Sequence, residues 1–210
     1  HGVTGEEGYS RLLVDVRDLS LGYDAPLFKG VSFQIREGEV VELRGRNGAG
    51  KTTLVKTLLA TVREQGFSAK VFDGVIDVDK KIRVGVYEQE TASELLTMTL
   101  AAAIEHIFLS RGLSVGDTKV RQLMSDYLFT TWDANIPVGQ LSGGQKARLQ
   151  LIDMLADTPS LLVLDEPTNH LDLPSIEELE QALNNYSGAI LYISHDTYFR
   201  KNLGGEVIQL

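Results

Sequence analysis

Residues 45–52 have the spacing of a phosphate-binding loop. The segment reads GRNGAGKT and places Gly45, Gly50, Lys51 and Thr52 at the defining positions of the pattern Gly-x-x-x-x-Gly-Lys-Ser/Thr. Glycines let successive backbone amides turn toward nucleotide phosphates, while the lysine adds positive charge and the hydroxyl group is a ligand for Mg²⁺. The segment therefore predicts a nucleotide and Mg²⁺ site, and a glycine-rich turn without a ligand is the alternative.

Two adjacent acids follow a continuously apolar run. Residues 161–164 read LLVL, as expected of a parallel strand buried on both faces, and Asp165 and Glu166 come next. Because ligands of open α/β sheets bind beyond the carboxyl ends of strands, Asp165 is a candidate for holding Mg²⁺ through water. Glu166 is a candidate for orienting and deprotonating an attacking water. Taken alone, two such acids are more often a helix cap or a solvated turn. The phosphate loop upstream favours the catalytic interpretation.

The surrounding segments predict elements that could position these residues. Residues 38–44 read as a turn and a short strand, and residues 51–59 have apolar side chains at helical spacing, so a helix would begin at the phosphates. Residues 11–35 read as strands with a turn at residues 24–26. A mixed α/β layer is expected from strands near residues 40, 84, 161 and 190. Helical patterns cover residues 99–109 and 118–129.

A third motif, LSGGQ, occupies residues 141–145 between the phosphate loop and the two acids. Ser142 is a good N-cap for the helical run that follows, and the next two glycines leave backbone amides uncovered. With these three motifs in this order, the chain resembles an ATP-binding cassette (ABC) nucleotide-binding domain over nearly all of residues 11–210.

The resemblance implies a fold and a domain organisation. The expected fold is α/β, the ABC ATPase fold, in which a mixed core sheet carries the phosphate loop beside an antiparallel β subdomain. A helical signature lobe is expected at about residues 90–156, within a single nucleotide-binding domain at residues 11–210. Residues 1–10 are polar and glycine-rich and are interpreted as a linker or tag remnant.

The resemblance also assigns roles at the ATP site. Gln89 resembles the glutamine that contacts Mg²⁺ and the attacking water, with an ordinary surface glutamine as the alternative. His195 resembles the switch histidine that senses the γ-phosphate. Tyr23 resembles the aromatic residue that stacks on adenine, although it could also be a core residue. The implied catalytic residues are Glu166, His195 and Gln89. The implied metal ligands are Thr52, Gln89 and Asp165. The implied nucleotide-binding residues are Tyr23, Asn47, Gly48, Ala49, Gly50, Lys51, Thr52 and Thr53.

The LSGGQ motif implies a partner. In the family, the start of this helix binds the γ-phosphate of ATP held by an opposite cassette, which assigns that contact to Ser142, Gly143, Gly144 and Gln145. Asp172 matches an aspartate at the same interface. The chain is therefore expected to need a second cassette, in the same polypeptide or as a homodimer, for efficient ATP hydrolysis with Mg²⁺.

Composition sets limits on the class of protein. The 210 residues contain 43% hydrophobic residues, no cysteine and no apolar run of membrane-spanning length, which favours a cytoplasmic protein without membrane insertion. The net charge is −9, and residues 149–199 carry nine acids and no lysine or arginine. This acidic stretch argues against nucleic-acid binding by its surface. The missing initial methionine and a strand-like end at residues 207–210 indicate a piece of a longer protein.

Details near the acids resemble one branch of the family. Asn169 and His170, together with Ser194–Asp196 followed by two aromatic residues, resemble the ABC-F proteins, which are tandem cassettes that act on ribosomes in translation or antibiotic resistance. The interval between Gln89 and Leu141 leaves no room for the long arm of many first cassettes. The chain therefore resembles a second cassette, with the ribosome as the expected partner.

Two other functions stay open. The acidic balance counts against a ribosome partner, which favours a basic surface. The first alternative is the ATPase subunit of a membrane transporter, with a permease as its partner, docked near Gln89. The second is a nucleotide-gated interaction domain without useful turnover, which the presence of Glu166 and His195 disfavours.

Overall fold

The computed structural model describes residues 10–210. Residues 1–9, most of the predicted linker or tag remnant, lie outside the described residues. The strands are β1 (Leu12–Gly22), β2 (Pro26–Arg36), β3 (Val40–Arg44), β4 (Lys70–Val78), β5 (Val84–Val86), β6 (Leu161–Asp165), β7 (Ala189–Ile193) and β8 (Glu206–Gln209). The helices are α1 (Lys51–Val62), α2 (Leu100–Ser110), α3 (Asp117–Asp126), α4 (Gly143–Leu155), α5 (Leu173–Asn184) and α6 (Thr197–Leu203).

Three strands form an antiparallel sheet in the order β2-β1-β4. The central strand, β1, pairs with both neighbours and buries apolar residues such as Leu13, Leu19 and Leu21. The outer strand β4 alternates between exposed and half-buried residues, as expected of an edge with one solvated face. The strands predicted for residues 11–35 are therefore present as β1 and β2.

Five strands form a parallel sheet in the order β5-β6-β7-β3-β8. The strands β6 and β7 are almost completely buried, which explains their continuous apolar runs. Parallel strands end at the same edge of a sheet, and the neighbours β6, β7 and β3 lead there into Glu166, His195 and the phosphate loop. The topology thus brings together three segments that are distant in sequence.

Both faces of the parallel sheet are covered. One face packs against α1 and the antiparallel sheet through residues such as Leu43, Leu54 and Leu191. The other face packs against α4, α5 and α6 through residues such as Leu164 and Phe199. The predicted α/β fold, which combines an antiparallel sheet with a core sheet and helices, is confirmed. The core sheet was expected to be mixed but is parallel throughout residues 10–210, because connections that contain helices join its strands.

The helices α2 and α3 share a separate hydrophobic core with one side of α4, which corresponds to the predicted helical lobe. The side chain of Thr99 caps α2 by accepting a hydrogen bond from the Ala102 amide. The pattern at residues 118–129 overestimates α3, which ends at Asp126, because Leu128 takes a left-handed conformation with φ of 63°. No helix within residues 10–210 is long and apolar enough to cross a membrane.

Candidate active site

The phosphate loop joins the end of β3 to the start of α1. Its backbone turns through left-handed conformations at Gly48, with φ of 82°, and at Gly50, with φ of 101°. A Cβ atom at Gly50 would also lie 2.8 Å from the ring of Phe28, whereas one at Gly48 would meet open space. Glycine is therefore needed at both positions for conformation and at Gly50 also for space. The loop leads its amides to the N-terminus of α1, which favours an anionic ligand.

The Lys51 side chain folds back across the loop. Lys51 is only 8% exposed, and its Nζ atom donates a hydrogen bond to the Gly45 carbonyl. This bond holds the ammonium group at the mouth of the loop, where phosphate oxygens would replace or join the carbonyl as its partners.

Thr52 and Asp165 meet although 113 positions separate them in the sequence. The Thr52 hydroxyl donates a hydrogen bond of 2.9 Å to the Asp165 Oδ2 atom. A hydroxyl and a carboxylate at one point are oxygen ligands of the kind that Mg²⁺ prefers, so these residues fit a magnesium site.

The Glu166 carboxylate contacts His195 at both oxygens. His195 Nε2 lies 3.1 Å from Oε1, and the His195 backbone amide donates to Oε2 over 3.2 Å. Glu166 has φ of 47° and donates its own amide to the Ile193 carbonyl, so its backbone is held in a sparsely populated conformation. The arrangement places a carboxylate, which can accept a proton, and an imidazole at the edge of the sheet.

Gln89 lies behind the two acids. Its Nε2 atom donates to the Asp165 carbonyl over 3.1 Å and to the Glu166 carbonyl over 2.6 Å. These bonds use the amide nitrogen and leave the side-chain oxygen for other partners. Hydrogen bonds to the backbone carbonyl groups of the two acids therefore hold the Gln89 side chain beside them.

Most of the nucleotide-binding residues expected from the sequence line one cleft, with a volume of about 490 Å³. Tyr23 and Ala49 do not line it, but the 48% exposed Tyr23 places its hydroxyl 3.4 Å from Thr53 Oγ1 at its rim. Sequence reasoning did not assign three lining residues to the site, Leu27, Asn169 and Ile193. The cleft is lined by Leu27, Asn47, Gly48, Gly50, Lys51, Thr52, Thr53, Asp165, Glu166, Asn169, Ile193 and His195.

The LSGGQ motif lies outside this cleft, at the start of α4. The Ser142 hydroxyl accepts a hydrogen bond of 3.2 Å from the Gln145 amide, and Gln145 Oε1 accepts one of 2.9 Å from the Ser142 amide. The two residues form a reciprocal capping box, which explains why the helix begins here. Gly143 is exposed, and a Cβ atom there would have no neighbour within 4 Å.

Asp172 caps α5 beside the start of α4. Its Oδ1 atom accepts a hydrogen bond of 2.9 Å from the Ser175 amide. Hydrogen bonding by Ser175 lowers the pKa of Asp172 below its ordinary value, because these bonds favour the ionised form. A Cβ atom at Gly144 would lie 3.9 Å from Ser175 Oγ, so the signature motif and Asp172 share one surface.

Sequence reasoning also missed a buried carboxylate, Glu42, on the strand that enters the phosphate loop. It is 1% exposed and pairs with Arg44 through two hydrogen bonds, of 2.7 and 2.8 Å. Burial, followed by the charge of Glu42, raises the pKa of the neighbouring Tyr192. A charged residue between the apolar residues of a buried strand is the signal that could have revealed it.

The chain is similar to known proteins in sequence and in fold. A family model described as ABC transporter matches residues 28–169. ABC transporter F family member 5 of Arabidopsis thaliana is 34% identical over 98% of this chain and 29% of its own length. Ribosome protection protein VmlR of Bacillus subtilis is 36% identical over 82% of this chain and 29% of its own length. Energy-dependent translational throttle protein EttA of Mycobacterium tuberculosis is 35% identical over 90% of this chain and 33% of its own length.

These figures mean that the chain spans about a third of the length of the curated relatives it matches. A solved ATP-binding subunit of an ABC transporter covers 94% of this chain and 85% of its own, with a TM-score of 0.74 and 22% identity, which supports the fold. The chain therefore belongs to the ABC transporter family, as an ATP-hydrolysing nucleotide-binding domain similar to those of the ABC-F members.

Proposed function

We propose that the chain is the ATP-binding and ATP-hydrolysing cassette of an ABC-F-type protein that acts on the ribosome, in translation or in antibiotic resistance. The ATPase activity is supported by one observation: the phosphate loop, the Asp165–Glu166 pair and His195 meet at the edge of one sheet. The ribosome part is supported by the names of two relatives, a ribosome protection protein and a translational throttle protein.

The site residues expected from the sequence have proposed parts in binding. The loop amides of residues 47–52 and the Lys51 ammonium bind the phosphates, while Tyr23 stacks on the adenine at the rim. Thr52, Asp165 and Gln89 hold Mg²⁺, which when bound neutralises phosphate charge. The Thr52–Asp165 hydrogen bond supports this assignment, because it already brings two oxygen ligands together.

Hydrolysis requires a group that takes a proton from water. Glu166 is the proposed base, and His195 orients its carboxylate and contacts the γ-phosphate. The contacts of His195 with both Glu166 oxygens support this pairing. The charged groups of the cleft then supply the electrostatic stabilisation that dominates phosphoryl transfer.

A second cassette completes the proposed site. The residues 142–145 and Asp172 lie together outside the cleft. Leu173, which follows Asp172, is 67% exposed, and Tyr198 on α6 is 79% exposed, so both side chains are available to a partner. ATP would thus close two cassettes, from one polypeptide or from two copies, and hydrolysis would open them in the cytoplasm.

The ribosome role can be tested by sedimentation. The full-length natural protein carrying Glu166→Gln is centrifuged with ribosomes through a sucrose gradient, with and without ATP. Co-sedimentation that requires ATP is expected, because the variant keeps ATP bound. The matched control Glu177→Gln changes an exposed carboxylate on α5, and its sedimentation profile should equal that of the unmodified protein. Free protein at the top of the gradient in all cases would contradict the ribosome role and favour a transporter permease as partner.

A further inference from the structure

Glu42 is a charged residue inside an otherwise apolar layer. Its register partner on β7 is Tyr192, and the hydroxyl of Tyr192 lies 3.3 Å from Glu42 Oε1. Arg44 donates to both carboxylate oxygens, and Arg200 Nε lies 3.4 Å from Oε2. A buried carboxylate is costly unless it is paired, so these partners explain how Glu42 is tolerated.

The cluster around Glu42 connects two parts of the active site. Glu42 lies three residues before Gly45 of the phosphate loop, and Arg200 lies on α6, which begins two residues after His195. The helix α6 has only seven residues and buries only Phe199 completely. A helix this short depends on its tertiary contacts for its position.

The contacts that fix α6 to the sheet meet at Glu42 and its register partner. The ring of Phe199 packs edge-to-face on Tyr192 at 5.8 Å, and the Tyr192 hydroxyl donates to the Gly204 carbonyl over 2.8 Å. Arg200 adds the ion pair with Glu42. Two of these contacts are uncharged, and the ion pair is the part that a change of charge would remove.

The two arginines depend on Glu42 to different extents. The Arg44 side chain is 41% exposed, so water can solvate it without Glu42. The Arg200 Nε atom is shielded from water and makes no hydrogen bond within residues 10–210, so the Glu42 carboxylate is its compensating charge. Loss of the charge at Glu42 would leave this buried donor uncompensated, and α6 would have to shift to hydrate it.

We propose that Glu42 is a positioning residue for His195: through Arg200 it holds α6 on the sheet and thereby sets the imidazole against the Glu166 carboxylate. The structural part of the proposal is independent of the reaction. Its catalytic consequence rests on the proposed function, in which His195 acts during ATP hydrolysis.

The positioning is tested by NMR on the chain without nucleotide. The imidazole ¹H–¹³C resonance of His195 is assigned with His195→Gln and compared in the unmodified chain and in Glu42→Gln, Arg200→Met and Lys201→Met. It should move in the first two variants and stay in Lys201→Met, the matched control, which removes an exposed cation next to Arg200 on α6. Resonances of His106 and His170 should stay in all three. An unmoved His195 resonance in folded Arg200→Met protein would overturn the proposal, and this variant suffices if Glu42→Gln does not fold.

The catalytic consequence is tested by ATP turnover and ATP affinity. Arg200→Met should lower kcat about tenfold while leaving the Kd for ATP unchanged, because a displaced catalytic group costs rate rather than ground-state binding. The effect on kcat should vanish in a His195→Ala background. An equal effect in both backgrounds would overturn action through His195. Turnover is measured on the full-length protein, which supplies a second cassette. Absence of turnover in the unmodified full-length protein would count against the proposed function, whereas the NMR result would still decide the positioning.

Discussion

The nucleotide cleft and the start of the signature helix differ in how their polar groups are satisfied. In the cleft, Thr52 bonds to Asp165, and the two oxygens of Glu166 contact His195. At the start of α4, the side chains of Ser142 and Gln145 bond to each other's backbone amides, and a Cβ atom at the neighbouring Gly143 would meet open space. The groups of the cleft contact one another within the chain, while the start of α4 exposes backbone to solvent. This difference fits a site that binds ATP alone but needs a second molecule to hydrolyse it.

The largest expected effect is a loss of ATP turnover when Glu166 in the cleft is replaced. Glu166→Gln should lower ATP turnover about 100-fold or more, because a positioned general base contributes about 10²–10⁴-fold. ATP binding should persist, since the phosphate loop is unchanged. The measurement is phosphate release at steady state beside ATP binding, with Glu177→Gln as the control. Unchanged turnover would remove the role proposed for Glu166.

The phosphate loop offers a matched pair of glycines that separates strain from crowding. Gly48→Ala should destabilise the chain by about 1 kcal/mol through its positive φ alone. Gly50→Ala should cost about 2–3 kcal/mol, because its Cβ would also crowd Phe28. Urea unfolding gives both free energies, and ATP titration should show weaker binding for Gly50→Ala. Equal costs would show that crowding at Phe28 is relieved by movement of the ring.

Loss of the Ser142 cap should affect the start of the signature helix α4. Ser142→Ala removes the hydroxyl that accepts from the Gln145 amide, which should cost about 1 kcal/mol of stability. Turnover should fall in the paired protein while ATP binding to the chain's own cleft stays unchanged. Weaker ATP binding by the isolated Ser142→Ala chain would contradict the separation of the two regions.

The smallest expected effect is a pH dependence at Asp172. Its pKa is lowered by hydrogen bonding from Ser175, so the ionised cap stabilises the folded state above the unfolded pKa of about 3.9. This contribution is lost as the pH falls through the lower, folded pKa. The measurement is urea unfolding of the unmodified chain and Asp172→Asn. The unmodified chain should be the more stable at neutral pH, and the gap should close in acid; a gap that widens would reverse the assignment.

The sequence predicts the parts of the cleft that lie on contiguous motifs. The phosphate loop, the Asp165–Glu166 pair and His195 each follow a strand whose apolar run is visible, and parallel strand pairing brings them together. Pattern alone could not reveal contacts that depend on strand order. Glu42 and Tyr192 are 150 positions apart and meet because β3 and β7 are neighbours. The end of α3 was missed because its apolar spacing continues past the left-handed Leu128.

The chain's own cleft should suffice for ATP binding but not for ATP hydrolysis. The most direct test measures single-turnover hydrolysis by the isolated chain over a wide range of protein concentrations, with its oligomeric state determined by sedimentation velocity. The monomer should bind ATP with negligible hydrolysis, and any hydrolysis per molecule should rise as dimers form. Concentration-independent hydrolysis by a monomer, at a rate that Gly143→Arg does not change, would show that no second cassette is needed.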